Sequence, residues 1–515
     1  MAASLLLSRV LGMVRDMVIG AKFGQSDLTD AYFLSFQIPD LLFYLIAGGA
    51  LSAAFIPVFS EYLHTGREEE AWHVFSVIVT LMSIIVGAFI VFSWIFAEPL
   101  VGIFAPGAAA RGPEFVDLVV HMSRIVVPAQ YAFFIGGIML GTLYARQVFS
   151  VPGLAPNVYN LGIIFGAVVL ANVAGFGVLG MSWGALVGAY IGNIVIPFAV
   201  IRRMGVTFKL SLDLRHEGVK KVLKLMLPVV LGLSLPGVFG MILRSVSSLG
   251  EVGMTTAIEY GNRLMQAPLG VFGQALALAV FPALAQFFAQ GRMDLYRDQL
   301  EKTLRTVLFL TVPISAFFLV APEPVVQALF ERGAFTAADT ARTAAMLQMF
   351  GIGVFAWCLQ PVLMRSYYAV QKTLTPILFG TATTLLFGGA VFALHKLESP
   401  PESLAVAASI AAIVLATALL FAIRREIGGL NIRGVFQTLG KALVASAVAV
   451  PVAWFGSIAI AGLSDRFGNF LYLGALTIVF LLFAWTYYFV AKLIKMPETK
   501  YAEAAARSNR NKSGE

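Results

Sequence analysis

His73-Val-Phe-Ser-Val-Ile-Val-Thr-Leu-Met-Ser-Ile-Ile-Val-Gly-Ala-Phe-Ile-Val-Phe-Ser-Trp-Ile-Phe-Ala97 contains no Asp, Glu, Lys or Arg. About 20 apolar residues, wound into a helix rising 1.5 Å per residue, cross the roughly 30 Å hydrocarbon core of a bilayer. The rest of the chain repeats the pattern. Of 515 residues, 59% are apolar and only 12% are charged, about half the charged share of a soluble domain. Fourteen candidate spans lie at approximately 3–23, 31–60, 73–97, 115–145, 155–174, 178–201, 222–248, 254–289, 304–322, 341–369, 374–394, 403–423, 438–463 and 469–494. The fold class is therefore an all-α polytopic membrane protein. The second, fourth, eighth and tenth spans exceed the hydrocarbon thickness and must tilt or bend, and Pro39, Pro128, Pro268 and Pro361 offer the places, since each proline removes one backbone hydrogen bond.

The formal net charge is +8, but the basic residues are scattered between apolar runs instead of forming one face, which excludes a nucleic-acid surface. They report topology instead. Even-numbered connections and the C-terminal tail hold 25 of the 36 Lys and Arg, odd-numbered connections 6, so the even connections and both termini are expected on the cytoplasmic side. No cleavable signal peptide is expected, because the first apolar stretch carries Arg9, Arg15 and Asp16. The single cysteine, Cys358, excludes an intramolecular disulfide and a cysteine-based metal site. All connections are too short for an extramembrane catalytic domain. Residues 495–515 read as a polar, disordered cytoplasmic tail.

A repeat organises the chain. Pro57, Gly66 and Arg67 recur at Pro282, Gly291 and Arg292, each offset by 225; Tyr144, Gln147 and Pro152 recur at Tyr368, Gln371 and Pro376, offset by 224. Six spans per repeat is an even number, so both copies enter the membrane in the same sense, and a pseudo-two-fold axis along the membrane normal is expected. The lobes are 1–203 and 222–425, with two extra C-terminal helices at 438–494. The connector 204–221 mixes apolar and basic residues: it is either a strip along the anionic inner leaflet or a solvated basic linker.

Ionisable groups at bilayer depth cost from about 2.5 kcal/mol upward and usually face a cavity or a partner. Arg9 and Asp16, seven apart, share a helix face, while Arg15 projects about 100° away from Asp16. Glu259 precedes Arg263 by four, the favourable order for an intrahelical pair. Arg244 stands in span seven, Asp40 in span two beside the mouth residue Asp30, and Arg124 follows Asp117 and His121 at one-face spacing near an interface. Arg9 can snorkel to the surface. Arg15, Arg244 and Arg263 leave a surplus of buried positive charge, which needs water or an anion to enter. The candidate substrate-binding set is Arg9, Arg15, Asp16, Asp30, Arg244, Glu259 and Arg263. No phosphate-binding loop, nucleophile elbow or His/Cys cluster is present, so no catalytic residue, metal or cofactor is assigned.

Ser8-Arg-Val-Leu-Gly-Met-Val-Arg-Asp16, Thr29-Asp-Ala-Tyr-Phe33, Ala54-Phe-Ile-Pro57, Leu154-Ala-Pro-Asn-Val-Tyr-Asn160 and Asn262-Arg-Leu-Met-Gln-Ala-Pro-Leu-Gly270 resemble the bacterial MurJ (MviN) lipid II flippases of the MOP exporter superfamily. The resemblance covers essentially the whole chain. It implies fourteen helices, residence in the bacterial cytoplasmic (inner) membrane, and movement of the lipid-linked peptidoglycan precursor lipid II from the inner to the outer leaflet by alternating access. It also implies a central cationic cavity to which Arg9, Arg15 and Arg263 correspond, with Asp16 and Asp30 as matching acids, and a 438–494 groove for the polyprenyl tail. Partners are then lipid II and membrane lipids, with room for other cell wall synthesis proteins. The chain departs from the family in span two, where Phe43 and Tyr44 stand at the place of an arginine and Gly48 at that of a frequent glutamate.

Three alternatives compete. A flippase for another polyprenyl-diphosphate-linked saccharide fits the same charges. A cation-coupled drug exporter of the same superfamily wants acidic residues in its cavity, against the arginine surplus. A membrane-embedded glycan polymerase needs acid/base residues on a sizeable outer loop, and the loops are too short.

Overall fold

The apolar runs become helices because a backbone in hydrocarbon must satisfy its hydrogen bonds within the segment. The computed structural model describes residues 2–45, 48–173 and 175–500, and among these no strand forms. The chain divides into two compact units: Met1–Thr256 with Gly333–Phe335, and Ala257–Arg332 with the chain from Thr336 onward.

The first unit holds α1 (Ala2–Phe23), α2 (Asp27–Ser35), α3 (Gln37–Leu45), α4 (Gly48–His64), α5 (Glu68–Ile95), α6 (Ala97–Phe104), α7 (Pro113–Val126), α8 (Ala129–Ala145), α9 (Ser150–Phe165), α10 (Ala171–Val173), α11 (Leu179–Tyr190), α12 (Ile196–Arg203), α13 (Glu217–Ser247) and the first turn of α14 (Met254–Pro268). The second holds the remainder of α14, then α15 (Ala275–Ala289), α16 (Met293–Val320), α17 (Pro322–Phe330), α18 (Ala337–Gly351), α19 (Val354–Ala369), α20 (Leu374–Lys396), α21 (Glu402–Glu426), α22 (Ile432–Ile460) and α23 (Leu463–Leu493). Wide π turns at Gly166–Leu170, Ile191–Val195 and Leu269–Gln274 carry the helix through the middle of three spans.

Among the described residues, ten helices are long and apolar enough to cross a membrane, and the pair α18 and α19, bent by 50°, makes an eleventh. The remaining three expected spans fall on α1, which carries Arg9, Arg15, Asp16 and Lys22 within 22 residues, on α3 and α4, and on α13. Of the long spans the tenth is sharply bent, by 50°, and the others change helix type or register near their prolines. The regular α-helix is interrupted between α2 and α3 just before Pro39 and between α7 and α8 at Pro128, and it widens without a break into the π turn after Pro268. In the tenth span the bend is at Ile352–Gly353, and Pro361 stands inside α19.

The repeat seen in sequence recurs as local structure. Pro57 and Pro282 each stand inside a helix. Gly66 and Gly291 both take left-handed backbone, φ +76° and +70°, and Arg67 and Arg292 cap the 28-residue helices α5 and α16. Gln147 and Gln371 both sit at φ 60°, a conformation that costs a residue with a side chain about 1–3 kcal/mol. A shared strained turn in both copies is not expected of unrelated loops.

The first unit's core is aromatic and aliphatic: Phe55 and Phe59 of α4, Trp72, Phe75 and Ile78 of α5, and Phe134 and Ile138 of α8 are buried together. Helices α9 and α11 meet on glycine. A Cβ on Gly162 would come within 2.6 Å of the Gly184 carbonyl oxygen, and one on Gly166 within 2.2 Å of that of Gly180.

One expectation is corrected. The chain after α23 does not fray at once: Glu498 is 2% exposed, and its Oε1 accepts from Arg305 Nε at 2.7 Å and Thr438 Oγ1 at 2.8 Å. Residues 495–500 are polar yet docked, because one buried carboxylate found a guanidinium on α16; residues 501–515 of the expected disordered tail lie outside the described residues.

Candidate functional site

Helix α1 presents Arg15 against α9. Its Nε donates to Asp16 Oδ1 at 3.0 Å, its Nη2 lies 2.9 Å from the same oxygen, and its Nη1 donates to Asn160 Oδ1 at 3.0 Å. This corrects the expected separation of Arg15 from Asp16. Adjacent Cα–Cβ vectors diverge by about 100°, but the guanidinium is long enough to swing back and close an ion pair with its buried neighbour. Asn160, whose Nδ2 donates to the Ser8 carbonyl, completes the cradle. It belongs to a motif that carried the resemblance but was not singled out as a site residue. Arg9, about two turns nearer the start of α1 than Asp16, is exposed.

Asp30 is fully buried and fully used. Arg111 Nη1 donates to its Oδ2 at 2.7 Å, the Gly253 N–H to Oδ2 at 2.8 Å, and the Thr256 N–H and Oγ1 to its Oδ1 at 2.8 and 2.6 Å. The carboxylate of α2 thus closes the N-terminus of α14, where free N–H groups and the helix dipole favour negative charge. Arg111 also donates to Asp27 Oδ1 and to the carbonyls of Gly250 and Glu251. In sequence it is one arginine in a loop, and nothing there ties it to Asp30, 81 residues away.

Arg244 and Asp40, which appeared in sequence as separate buried charges, meet across α13 and α3, with Nη1 donating to Oδ2 at 2.6 Å. The same two helices explain the departure in span two. Gly237 leaves the seat of the Tyr44 ring open, since a Cβ there would come within 2.0 Å of the ring. Where the resemblance implied an arginine on α3, an aromatic ring packs on glycine, and the cation comes from α13. The inner surplus of positive charge is smaller than sequence counting implied. Arg124 does not join Asp117 and His121. Those two lie 3.7 Å apart, while Arg124 donates to the Trp94 carbonyl at 3.1 Å and lies over its ring at 5.2 Å.

In the second unit Glu259 is buried and Arg263 half-buried on α14, and Tyr260 stacks on Phe330 at 4.6 Å. Further along, Phe272, Phe309, Pro313, Phe480, Phe483 and Tyr487 border an apolar cavity of about 300 Å³ on α23. Among the described residues no group of three or more His, Cys, Asp or Glu side chains converges as a metal would require.

A helical bundle of apolar spans, with ion pairs such as Arg15–Asp16 and Arg244–Asp40 held inside it, defines a polytopic membrane protein. Comparison gives the particular kind. The model of the family described as lipid II flippase MurJ matches residues 19–480. The chain is 30% identical over 462 residues to a probable lipid II flippase MurJ of Vibrio cholerae, covering 85% of this chain and 83% of that one. It is 30% identical over 378 residues to the lipid II flippase MurJ of Burkholderia cenocepacia, covering 72% of each. The chain belongs to the lipid II flippase MurJ family. Its fold is that of a solved lipid II flippase MurJ in an inward closed conformation, with TM-score 0.77, 24% identity and coverage of 96% and 99%. It is also similar to an inward-facing multidrug resistance MATE family transporter of the MOP superfamily, with TM-score 0.68, 14% identity and coverage of 82% and 94%.

Proposed function

We propose that this chain moves lipid II across the bacterial cytoplasmic membrane, from inner to outer leaflet, by alternating access. The observation that carries the reading is the family match over residues 19–480. In this reading both termini are cytoplasmic, the chain makes and breaks no covalent bond, and other cell wall synthesis proteins receive what it delivers.

The diphosphate of the substrate offers charged acceptor oxygens, and guanidinium groups bind such oxygens through two parallel N–H donors without losing their proton. Arg15 and Arg263 grip it, Arg9 recruits it, and Arg244 supplies the cation that α3 lacks. Asp16 and Asn160 hold the Arg15 fork in one orientation, and Glu259 does the same service for Arg263. Asp30 has no acceptor position to spare and serves the closure of α14 rather than the substrate. Its four donors support that division of labour. The polyprenyl tail follows the 438–494 helices, where the cavity bordered by Phe480, Phe483 and Tyr487 offers apolar surface.

The deciding experiment is complementation of a strain depleted of its own lipid II flippase, with the leaflet of lipid II assayed directly. Growth with outward-facing lipid II supports the reading. Growth of the host restored without outward lipid II, or lipid II export absent while another polyprenyl-diphosphate saccharide crosses, refutes it.

A further inference from the structure

Between Arg203 and Glu217 the chain leaves the helical pattern, and residues 206–213 form no helix. They are hung from α5. Ser76 Oγ donates to the Thr207 carbonyl at 3.3 Å and accepts from the Lys209 N–H at 3.2 Å, two groups two residues apart on one edge, as extended chain presents them. Asp213 is held at 3.3 Å by His73, one turn nearer the start of α5.

This tether sets the depth. A 28-residue helix such as α5 is about 42 Å long at 1.5 Å per residue, about 12 Å more than the hydrocarbon core, or about eight residues. The surplus belongs at the N-terminal end, which reads Glu68-Glu-Glu70, whereas the far end reads Phe92-Ser-Trp-Ile95. The boundary of the hydrocarbon therefore falls at about Ser76. The strip lies at the level where acyl chains give way to headgroups.

Its composition suits that level. Phe208, Leu210 and Leu212 alternate along it, and Leu214 follows across a tight turn in which its N–H donates to the Leu212 carbonyl at 2.8 Å; the four are 48, 82, 55 and 44% exposed, an apolar edge of the kind that marks an interaction surface. Between 202 and 224 the chain carries seven basic residues against two acidic, and each basic residue near an anionic leaflet contributes about 1 kcal/mol of attraction.

We propose that residues 206–214 form an interfacial strip that binds anionic phospholipid: Phe208, Leu210, Leu212 and Leu214 enter the acyl boundary while Lys209, Arg215 and the flanking Arg202, Arg203 and Lys220 engage headgroup phosphates. A helix would be the ordinary device for this position; here an extended strip does it, which predicts a period of two rather than 3.6. The strip fixes the depth and tilt of α12 and α13, which it joins.

The test uses full-length protein in which Cys358 is replaced by Ala, with single cysteines at each position from 208 to 214, spin-labelled and reconstituted in phosphatidylcholine bilayers with or without phosphatidylglycerol. Collision with oxygen, which concentrates in the acyl region, is compared with collision with a water-soluble nickel chelate. Labels at 208, 210, 212 and 214 should favour oxygen and those at 209 and 211 the nickel chelate, and the contrast should grow severalfold when phosphatidylglycerol is added. Lys209→Gln with Arg215→Gln should keep the period and lose the lipid dependence. Nickel accessibility at every position overturns the proposal and leaves a solvated linker. A 3.6 period overturns the strip. Shielding from both reagents that appears only as the protein-to-lipid ratio rises assigns the edge to a second copy. Transport is not read in any arm, so the outcome stands apart from the flippase assignment.

Discussion

Removing the Asp30 carboxylate tests the site most directly, because four donors converge on one buried group. In Asp30→Ala, Arg111 loses its 2.7 Å acceptor, and the Gly253 and Thr256 N–H groups at the start of α14 are orphaned. Asp30 is fully buried and the Arg111 side chain is 10% exposed, so this is the regime in which breaking a buried pair costs about 3–5 kcal/mol. Arg111→Ala breaks the same pair and leaves the fully buried Asp30 carboxylate with two N–H donors and one hydroxyl but no cation, so a cost of about 3–5 kcal/mol follows here too. Since both variants destroy the same contact, the double variant should be less destabilised than the sum by about 1.5–3 kcal/mol. Reversible unfolding of the four proteins in mixed detergent micelles measures the cycle. Additive losses, or Asp30→Ala within about 0.5 kcal/mol of the parent, the range of a neutral surface change, would refute the claim that this carboxylate closes α14.

Arg15→Ala and Arg263→Ala should insert normally and lose lipid II export by about 10–150-fold, the equivalent of one charge-assisted contact of about 1.5–3 kcal/mol; lysine at either place should retain part of the activity and Glu259→Gln most of it, and full export by both alanine variants would make these arginines structural. Cysteines placed singly at Ser26, Ser399 and Asp465 in the Cys358→Ala background should label from outside with an impermeant reagent, whereas labelling at Ser211 or Ser508 in intact cells inverts the topology. Gly162→Val should destabilise the α9–α11 contact by about 1–3 kcal/mol through overpacking, measured in the same micelles. The Asp213 carboxyl is held below its ordinary value, first by its hydrogen bond to His73, so the tether it provides is present above about pH 4 and is lost as pH falls through the lowered value; hydrogen exchange of residues 206–214 should rise below pH 4, and unchanged exchange there would remove Asp213 from the tether.

Membrane class and helical composition were legible in the sequence because the bilayer imposes one rule on every span, and the rule leaves a mark of about 20 apolar residues each time. The 225-residue offset was legible for a local reason: Gly66 and Gly291 keep glycine where the backbone turns left-handed, and a turn of that kind is specified by the residues within it. Charges at depth were equally visible one at a time, since Arg15, Asp30, Asp40, Arg244 and Arg263 are conspicuous in apolar surroundings. Which charge answers which was decided by tertiary structure alone. Arg111 lies 81 residues from Asp30 and Arg244 lies 204 from Asp40, and no periodicity within a helix carries information about a partner on another. The same reason hid the docking of Glu498, whose partners, Arg305 and Thr438, stand on α16 and α22. Composition records how each residue meets the solvent, and pairing across helices depends on where packing brings two side chains, which only the folded chain determines.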